Sequence, residues 1–377
     1  IVRAAMVRGK GTAIIDGAQS FTWAEVADRV PRLAAVLRAH GLTEGGRVVL
    51  LAHNSHWSIE AFYAAFYAGG VMVPLNFRLS EQDLAVQVAD CQPDVLLLGP
   101  DFLHLGEGLR AAAGGTARVL AVDETLGALT RAAEPIADAM RGGDDLACIY
   151  YTSGTTSAAK GVMLSHANFM VNTLNVSHTL ELGEQTVHMH HGPLFHLAAG
   201  ARLFSVTQAA GTHVFLPRFQ AGEVLAEIGR SGVTHLTVVP TMLRTLLDDP
   251  ALASTDLSSL RYLSYGSAPM PEPLLREALE RLPHVRFIQS YGMTELSPVA
   301  TMLDWEDHLP SPRSSALLKS AGKPVATVEI AVIAPDGTHL PTGSHGEIAV
   351  RGPTVMMGYW NRPDLTQATI RNGWLHT

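Results

Sequence analysis

The chain has 377 residues, of which 47% are hydrophobic and 16% are charged, which excludes a disordered protein and favours a folded globular one. Its formal net charge of −8 excludes a general nucleic-acid-binding protein, because phosphate backbones require a basic surface. The most apolar window, residues 61–75, contains two glycines and a proline and is too short to span a bilayer. Cys91 and Cys148 show neither metal-ligand spacing nor a disulfide framework, so we expect reduced thiols and a cytoplasmic location.

The first part of the chain alternates helices with short apolar strands. A capping box at residues 22–25 predicts a helix that ends near Gly41, and Pro31 is expected to kink or restart it. Further helices are predicted at 59–68 and after Ser80. Buried strands are predicted at 47–51, 71–74, 95–98, 119–122 and 146–150. This alternation is typical of a largely parallel sheet covered by helices on both faces.

The same pattern returns after residue 186 and changes again after Pro310. Strands are predicted at 187–190, 212–215, 233–239, 262–265 and 285–289, with helices between them. Beyond Pro310, strand-like segments alternate with turns, which favours a small β-barrel-like unit. The sequence therefore predicts an α/β protein in three parts, at residues 1–180, 181–310 and 311–377.

A polar stretch at residues 151–161 is rich in hydroxyls and small side chains and contains one lysine, Lys160. It follows a predicted strand, and Ser165 is the predicted N-cap of the next helix, so the loop is expected to link a strand to a helix. Backbone N–H groups, hydroxyls and the lysine can converge there on phosphate oxygens. A Walker A loop is excluded, because no Gly precedes Lys160 and Gly161 follows it. The alternative is a polar surface turn.

The residues at 152–156, followed by Lys160 and Gly161, resemble the signature of the adenylate-forming acyl-CoA synthetases. This superfamily also includes luciferases and peptide-synthetase adenylation domains. Further segments resemble the family's motifs in the family's order, at 193–196, 265–269, 289–295, 346–360 and 373–377. Ser157 and Ala159 stand where the family has Gly and Pro, so weaker nucleotide binding is expected.

The resemblance implies the fold of the N-terminal large domain of acyl-CoA synthetases. That fold has two αβ-layered subdomains with largely parallel sheets and a small distorted β-barrel, and its active site lies where the three parts meet. The implied reaction has two steps. A carboxylate first attacks the α-phosphate of ATP and releases pyrophosphate, and the thiol of coenzyme A then displaces AMP.

ATP, Mg²⁺ and coenzyme A are the cofactors that the resemblance implies. The phosphates are expected against the loop and Thr294, Mg²⁺ on Glu295, and adenine between Tyr291 and the edge at 266–268, with close backbone approach at Gly292. The residues assigned to the nucleotide are Thr152, Ser153, Gly154, Thr155, Thr156, Lys160, Gly266, Ser267, Ala268, Tyr291 and Gly292.

The carboxylic acid is expected beside His196, which by resemblance lies against the substrate carboxylate and the α-phosphate. Catalysis is assigned to His196, Thr294 and Glu295. The acyl pocket is assigned to His196, Leu197, Ala198, Ala199, Gly200, Gly266 and Ser290. These residues are mostly small, which favours a bulky aromatic acid or a medium to long aliphatic acid. Apart from His196, none of them is basic, so a dicarboxylic acid is not expected.

Four histidines near this segment invite comparison with a metal site. His188 and His190 share one face of a predicted strand, with His191 and His196 close in sequence. No carboxylate or cysteine partner is nearby, so a structural metal is not predicted.

Two alternatives stay open. One is an amino-acid adenylation domain that loads a carrier protein, although such domains usually have Pro where this chain has Met293. The other is a non-catalytic relative that binds nucleotide or acyl groups. The chain stops at Thr377, where the family continues with Gly-Asp and a small C-terminal domain. That domain is therefore expected to be absent, and the chain is expected to bind ATP and acid but turn over poorly. A homodimer also stays open.

Overall fold

A computed structural model of the chain describes residues 1–152, 159–312 and 314–377. Four of the residues assigned to the nucleotide lie outside the described residues. They are Ser153, Gly154, Thr155 and Thr156.

The described residues form thirteen helices and twenty strands. The helices are α1 (Val2–Arg8), α2 (Trp23–Ala39), α3 (His56–Tyr67), α4 (Glu81–Cys91), α5 (Gly106–Ala112), α6 (Glu124–Ala132), α7 (His166–Thr179), α8 (Leu197–Gln208), α9 (Ala221–Ser231), α10 (Pro240–Asp248), α11 (Glu272–Arg281), α12 (Ser314–Leu317) and α13 (Pro363–Thr369). The strands are β1 (Thr12–Asp16), β2 (Gln19–Thr22), β3 (Arg47–Leu51), β4 (Val71–Pro74), β5 (Val95–Leu98), β6 (Arg118–Ala121), β7 (Leu146–Thr152), β8 (Lys160–Ser165), β9 (Val187–His190), β10 (Thr212–Phe215), β11 (His235–Val238), β12 (Tyr262–Gly266), β13 (Arg286–Gly292), β14 (Val299–Leu303), β15 (Lys323–Pro324), β16 (Glu329–Ile333), β17 (Glu347–Arg351), β18 (Gly358–Tyr359), β19 (Ile370–Arg371) and β20 (Trp374–His376).

These strands form three sheets. A seven-stranded sheet has the order β18-β8-β7-β4-β3-β5-β6 and is parallel from β7 to β6. A nine-stranded sheet has the order β15-β14-β13-β12-β11-β9-β10-β1-β2 and is parallel from β13 to β1. The α/β class with largely parallel sheets is thus confirmed. The third sheet, β16-β17-β20-β19, is antiparallel and open, so no closed barrel forms in the part of the chain that is described.

Both large sheets are assembled from distant parts of the chain. The hairpin of β1 and β2 joins the nine-stranded sheet through β10, and β18 joins the seven-stranded sheet through β8. The largest apolar cluster contains Val48 of one sheet and Ile14 and Ile288 of the other, together with residues of α2 and α3. The two sheets therefore share a core, and the division of the chain at residues 180 and 310 stays a prediction.

Helix α2 tests two expectations from the sequence. The capping box is confirmed, since Thr22 accepts a hydrogen bond from the Glu25 N–H and the Glu25 side chain accepts one from the Thr22 N–H. The restart of the helix expected at Pro31 is wrong, because α2 runs through it without interruption, while the alternative of a kink stays a prediction. Val30 and Leu33 are buried on either side of the proline, and this burial holds the helix together across the missing hydrogen bond.

None of the described helices combines the length and the apolar character that crossing a bilayer requires.

Candidate active site

The predicted phosphate loop lies in a hairpin. Thr152, the last residue of β7, pairs antiparallel with Lys160, the first residue of β8. The expected strand-to-helix connection is therefore wrong, because β8 intervenes before α7. Val162 and Leu164 of β8 are buried, and β8 also pairs with β18 on its other edge. Thr152 and Lys160 thus flank the loop, and the helix N-terminus lies at the far end of β8, away from it.

A cavity of about 890 Å³ opens beside this hairpin. It is lined at the carboxyl ends of β9, β11, β12 and β13, which is where open α/β sheets bind ligands. Most of the described residues assigned to nucleotide and acid line it. They are Thr152, Lys160, His196, Leu197, Ala198, Ala199, Gly266, Ser267, Ser290, Tyr291, Gly292, Thr294 and Glu295.

Two assigned residues lie away from the cavity wall. Gly200 is packed inside the protein, since a Cβ atom there would lie 2.5 Å from the hydroxyl of Tyr150 and 2.6 Å from the carbonyl of Leu194. Ala268 is exposed beyond Ser267, a non-glycine residue with a φ of +64°. Gly200 therefore serves close packing behind the wall, and the left-handed turn at Ser267 directs the chain away from it.

Close backbone packing explains the glycines at the ends of β12 and β13. A Cβ atom on Gly266 would lie 2.3 Å from the carbonyl oxygen of Ser290, and one on Gly292 would lie 1.9 Å from that of Pro298. The close approach predicted at Gly292 is thus made by the protein's own backbone. Both glycines bring adjacent strands together under the cavity.

Glu295 is buried beside the cavity and is held by a residue that sequence reasoning missed. The hydroxyl of Tyr359 donates a hydrogen bond of 2.8 Å to Oε1 of Glu295. Burial and the nearby carboxylate raise the pKa of Tyr359, so its hydroxyl stays a donor. The ammonium of Lys160 lies 5.4 Å from the centroid of the Tyr359 ring, within cation–π range. Tyr359 therefore connects the lysine of the loop to the glutamate, and the segment at 358–360 was its only sequence signal.

The second oxygen of Glu295 is available for a ligand. No described residue donates a hydrogen bond to Oε2, and Glu295 lines the cavity. Within residues 1–152, 159–312 and 314–377, no three His, Cys, Asp or Glu side chains come together to hold a metal ion. The donor set suits Mg²⁺, which in proteins takes one or two carboxylates and fills its octahedron with phosphate oxygens and water.

His196 lies at the N-cap of α8 and is exposed toward the cavity. Partial desolvation by the surrounding protein, with a smaller contribution from the charge of Arg78, lowers the pKa of its imidazole. The side chain is therefore neutral near pH 7 and can offer one N–H donor and one acceptor to a ligand.

Comparison with known proteins agrees with this geometry. The model of the AMP-binding enzyme family matches residues 1–360. The chain belongs to the AMP-binding enzyme family. It is 38% identical over its whole length to a feruloyl-CoA synthase of Amycolatopsis, of which it covers 74%.

Solved structures extend the likeness of this AMP-binding enzyme to the fold. The inhibitor-bound N-terminal domain of FACL13 from Mycobacterium tuberculosis is 28% identical, with a TM-score of 0.92; the match covers 100% of this chain and 94% of that one. The o-succinylbenzoate CoA synthetase of Bacillus subtilis, in complex with its acyl-adenylate intermediate, is 32% identical, with a TM-score of 0.88 and coverage of 100% and 93%. The predicted superfamily is thus confirmed.

Two of the histidines considered for a metal site, His188 and His190, each have a hydrogen-bond partner inside this AMP-binding enzyme. Nε2 of His190 lies 2.9 Å from Nδ1 of His213, and Nε2 of His188 lies 3.3 Å from the hydroxyl of Thr237. Burial, together with the neighbouring imidazoles, holds the pKa of His188 and His190 well below the usual range. These rings are neutral members of the β9–β10 core.

One further cavity residue was missed from the sequence. Arg202 lines the cavity from α8 and is only 3% exposed. The sequence contains a feature that could have identified it, because Arg202 is the single charged residue in a helix of small, apolar and hydroxyl-bearing side chains. A cation at such a position is rarely buried without a partner.

Proposed function

We propose that this AMP-binding enzyme uses ATP to activate a carboxylic acid, aromatic or aliphatic, to an acyl-adenylate and then forms the thioester with coenzyme A. Pyrophosphate and AMP are the other products. The observation that carries the proposal is that one cavity joins the residues assigned to phosphate, to adenine and to the acid. Holding two reactants together in this way supplies much of what nucleotidyl transfer requires. The names of the relatives, a feruloyl-CoA synthase among them, support it.

The phosphate end of the proposed site relies on a local positive field, because the chain as a whole carries a net charge of −8. Lys160 supplies a mobile positive charge, and Thr152 and Thr294 supply hydroxyl donors. Glu295 would hold Mg²⁺ through the oxygen that Tyr359 leaves open. When bound, Mg²⁺ neutralises phosphate charge and makes pyrophosphate a better leaving group.

The acid end of the proposed site begins at His196. In the first step a carboxylate oxygen bonds to the α-phosphorus, while the bond from that phosphorus to the pyrophosphate oxygen breaks. The neutral imidazole of His196 orients the carboxylate by a hydrogen bond without adding charge. In the second step the thiol of coenzyme A loses its proton to solvent and its sulfur bonds to the acyl carbon, while the bond from that carbon to the phosphate oxygen breaks and AMP leaves.

The decisive experiment is acid-dependent exchange of labelled pyrophosphate into ATP, using the full-length protein and a panel of aryl, short-chain and long-chain acids. We expect exchange with a subset of the acids, and thioester formation when coenzyme A is added. Transfer to a carrier protein but not to coenzyme A would favour the adenylation-domain alternative. Nucleotide binding without exchange for any acid would favour the non-catalytic one.

We also propose a cytoplasmic location, which the two buried unpaired cysteines support. Burial raises the pKa of Cys91 to about 12, so this thiol is an unreactive core residue.

The assembly state follows from light scattering of the purified protein, in which twice the chain mass of 40.3 kDa would establish a homodimer.

A further inference from the structure

Arg202 is a buried cation with no partner among the described residues. It lies in the second turn of α8, its Nε atom is fully buried, and that atom has no hydrogen-bond partner. No described residue forms an ion pair with its guanidinium or accepts a hydrogen bond from it. The one side-chain carboxylate among the described cavity residues is Glu295, which is bound to Tyr359.

A structural role does not explain this arginine. Burying a guanidinium costs free energy that an ion pair or hydrogen bonds must offset, and the described residues provide neither. Burial alone lowers the pKa of Arg202 to about 10, so the side chain is still charged at neutral pH. An apolar residue would fill the same space without this penalty. The positive charge of Arg202 is therefore of use only when a ligand occupies the cavity.

Neutral polar groups also line the cavity. Thr237 and Ser264 share a hydrogen bond of 2.8 Å, and His188 contacts Thr237 from behind. The hydroxyl of Ser290 is buried without a partner. These groups can accept or donate a hydrogen bond but cannot balance the charge of Arg202, so the missing anion has to arrive with the ligand.

We propose that Arg202 binds a second carboxylate, at the far end of the acid that is activated, so that the substrate is a dicarboxylic acid. This rests on the proposed function, and it replaces the expectation that the pocket has no basic residue. A guanidinium binds a carboxylate through two parallel hydrogen bonds, which a hydroxyl or methyl group does not reproduce.

The position on α8 sets the length scale of this acid. His196 caps the helix and Arg202 follows six residues later, a rise of about 9 Å along the axis at 1.5 Å per residue. The two carboxylates are therefore separated by several carbon atoms or by an aromatic ring. Very short diacids do not reach both ends.

The test compares three acids of one shape, para-carboxycinnamate, para-methylcinnamate and para-hydroxycinnamate, by calorimetric binding and by pyrophosphate exchange. The wild-type protein should bind the diacid at least about 100-fold more tightly than the methyl analogue.

Arg202→Met should abolish this preference while leaving the affinity for the methyl analogue unchanged. Arg202→Lys should retain part of the preference, because it keeps the charge and loses the paired geometry. Arg118→Met, which changes an exposed arginine of β6 outside the cavity lining, is the control and should leave the ratio unchanged.

The outcomes separate this assignment from the proposed function. Exchange with monocarboxylic acids and no effect of Arg202→Met on diacid binding would overturn the role of Arg202 and keep the function. Diacid binding that depends on Arg202, without exchange for any acid, would support the role of Arg202 and overturn the proposed function. Tighter binding of the hydroxyl analogue than of the diacid would overturn the substrate class. Thermal unfolding distinguishes a structural role, since Arg202→Met should be at least as stable as wild type, and a large loss of stability would contradict the proposal.

Discussion

A single carboxylate lies at the proposed phosphate end of the cavity. Glu295 is 6% exposed, and the one hydrogen bond to its carboxylate from the described part of the chain comes from Tyr359. The same phenol ring lies under the ammonium of Lys160. The position of each charge therefore depends on an uncharged aromatic side chain, and removing any of the three should disturb nucleotide binding in a different way.

Replacing the glutamate with its amide separates charge from shape. Glu295→Gln should weaken binding of Mg²⁺·ATP by roughly 10- to 100-fold, because a charge-assisted interaction is worth about 1.5–3 kcal/mol. Isothermal titration calorimetry with and without Mg²⁺ measures the effect. The exposed Glu184→Gln is the control, and equal affinities for both variants would remove Glu295 from the metal site.

Replacing Lys160 tests its proposed contact with the phosphates of ATP. Lys160→Ala should weaken ATP binding whether or not Mg²⁺ is present, since it removes a positive charge from an acidic protein. Calorimetry checks this against Lys10→Ala, which removes an exposed lysine near the N-terminus. AMP affinity should change less than ATP affinity, and an equal loss for both nucleotides would contradict a contact with the β- and γ-phosphates.

Tyr359→Phe is the complementary change. It removes the hydroxyl that donates to Glu295 and keeps the ring beside Lys160. Its Mg²⁺ dependence should shift while its affinity for Mg²⁺-free ATP stays close to wild type. If the affinities for Mg²⁺·ATP and for Mg²⁺-free ATP fall by the same factor, the hydroxyl of Tyr359 acts on the fold and not on Glu295.

At the scale of elements, the start of α7 links the β7–β8 hairpin to the segment that leads into β18. Ser165 caps the helix by accepting a hydrogen bond from the Asn168 N–H, and the Asn168 side chain accepts one from the Ser165 N–H. The amide of Asn168 also donates to the carbonyls of Pro353 and Val355. One capping box therefore fixes both the end of the β7–β8 hairpin and the chain that leads into β18.

Removing this cap should destabilise the protein measurably. Ser165→Ala should lower the free energy of unfolding by about 1 kcal/mol, the usual cost of losing a helix N-cap. Ser177→Ala in the same helix is the matched control, because its buried hydroxyl has no hydrogen-bond partner and its loss should be neutral or slightly stabilising. Urea unfolding followed by circular dichroism compares them, and equal effects would argue against the capping box.

For the whole molecule, buried neutral histidines control the response to acid. Burial lowers the pKa of His213 to about 3 and that of His235 to about 4. A histidine with a lowered folded pKa contributes stability that is present above its unfolded pKa, near 6.5, and is lost as pH falls toward the folded value. Between these limits each such histidine contributes a slope of about 1.4 kcal/mol per pH unit.

The protein should therefore lose stability steeply between about pH 6.5 and 4. His235→Gln, which can still donate to the Leu180 carbonyl, should flatten this dependence. Urea midpoints at several pH values measure it, with the exposed His104→Gln as control. A slope in His235→Gln that equals the wild-type slope would show that His235 is already solvated when the protein is folded.

Local patterns in the sequence predicted most elements and much of the cavity wall. Residues 47–51, 71–74, 95–98, 187–190 and 212–215 form strands with the predicted bounds, because short apolar runs between turns leave few alternatives. The strand β8 was missed, since the Gly, Val, Met and Leu after Lys160 pair with β7 and β18, and β18 lies nearly 200 residues further along the chain. The helix restart expected at Pro31 is absent for a related reason, because the packing of α2 outweighs the local preference of the proline.

The sequence by itself determined the superfamily, the α/β class and the identity of most side chains around the cavity, because these follow from motifs and local periodicity. Tertiary structure decided which side chains face each other. It placed Tyr359 on Glu295, turned Gly200 and Ala268 away from the cavity, and left Arg202 buried without a counter-charge from any described residue. Pairing, burial and desolvation are properties of residues brought together from distant positions, so no pattern along the chain records them.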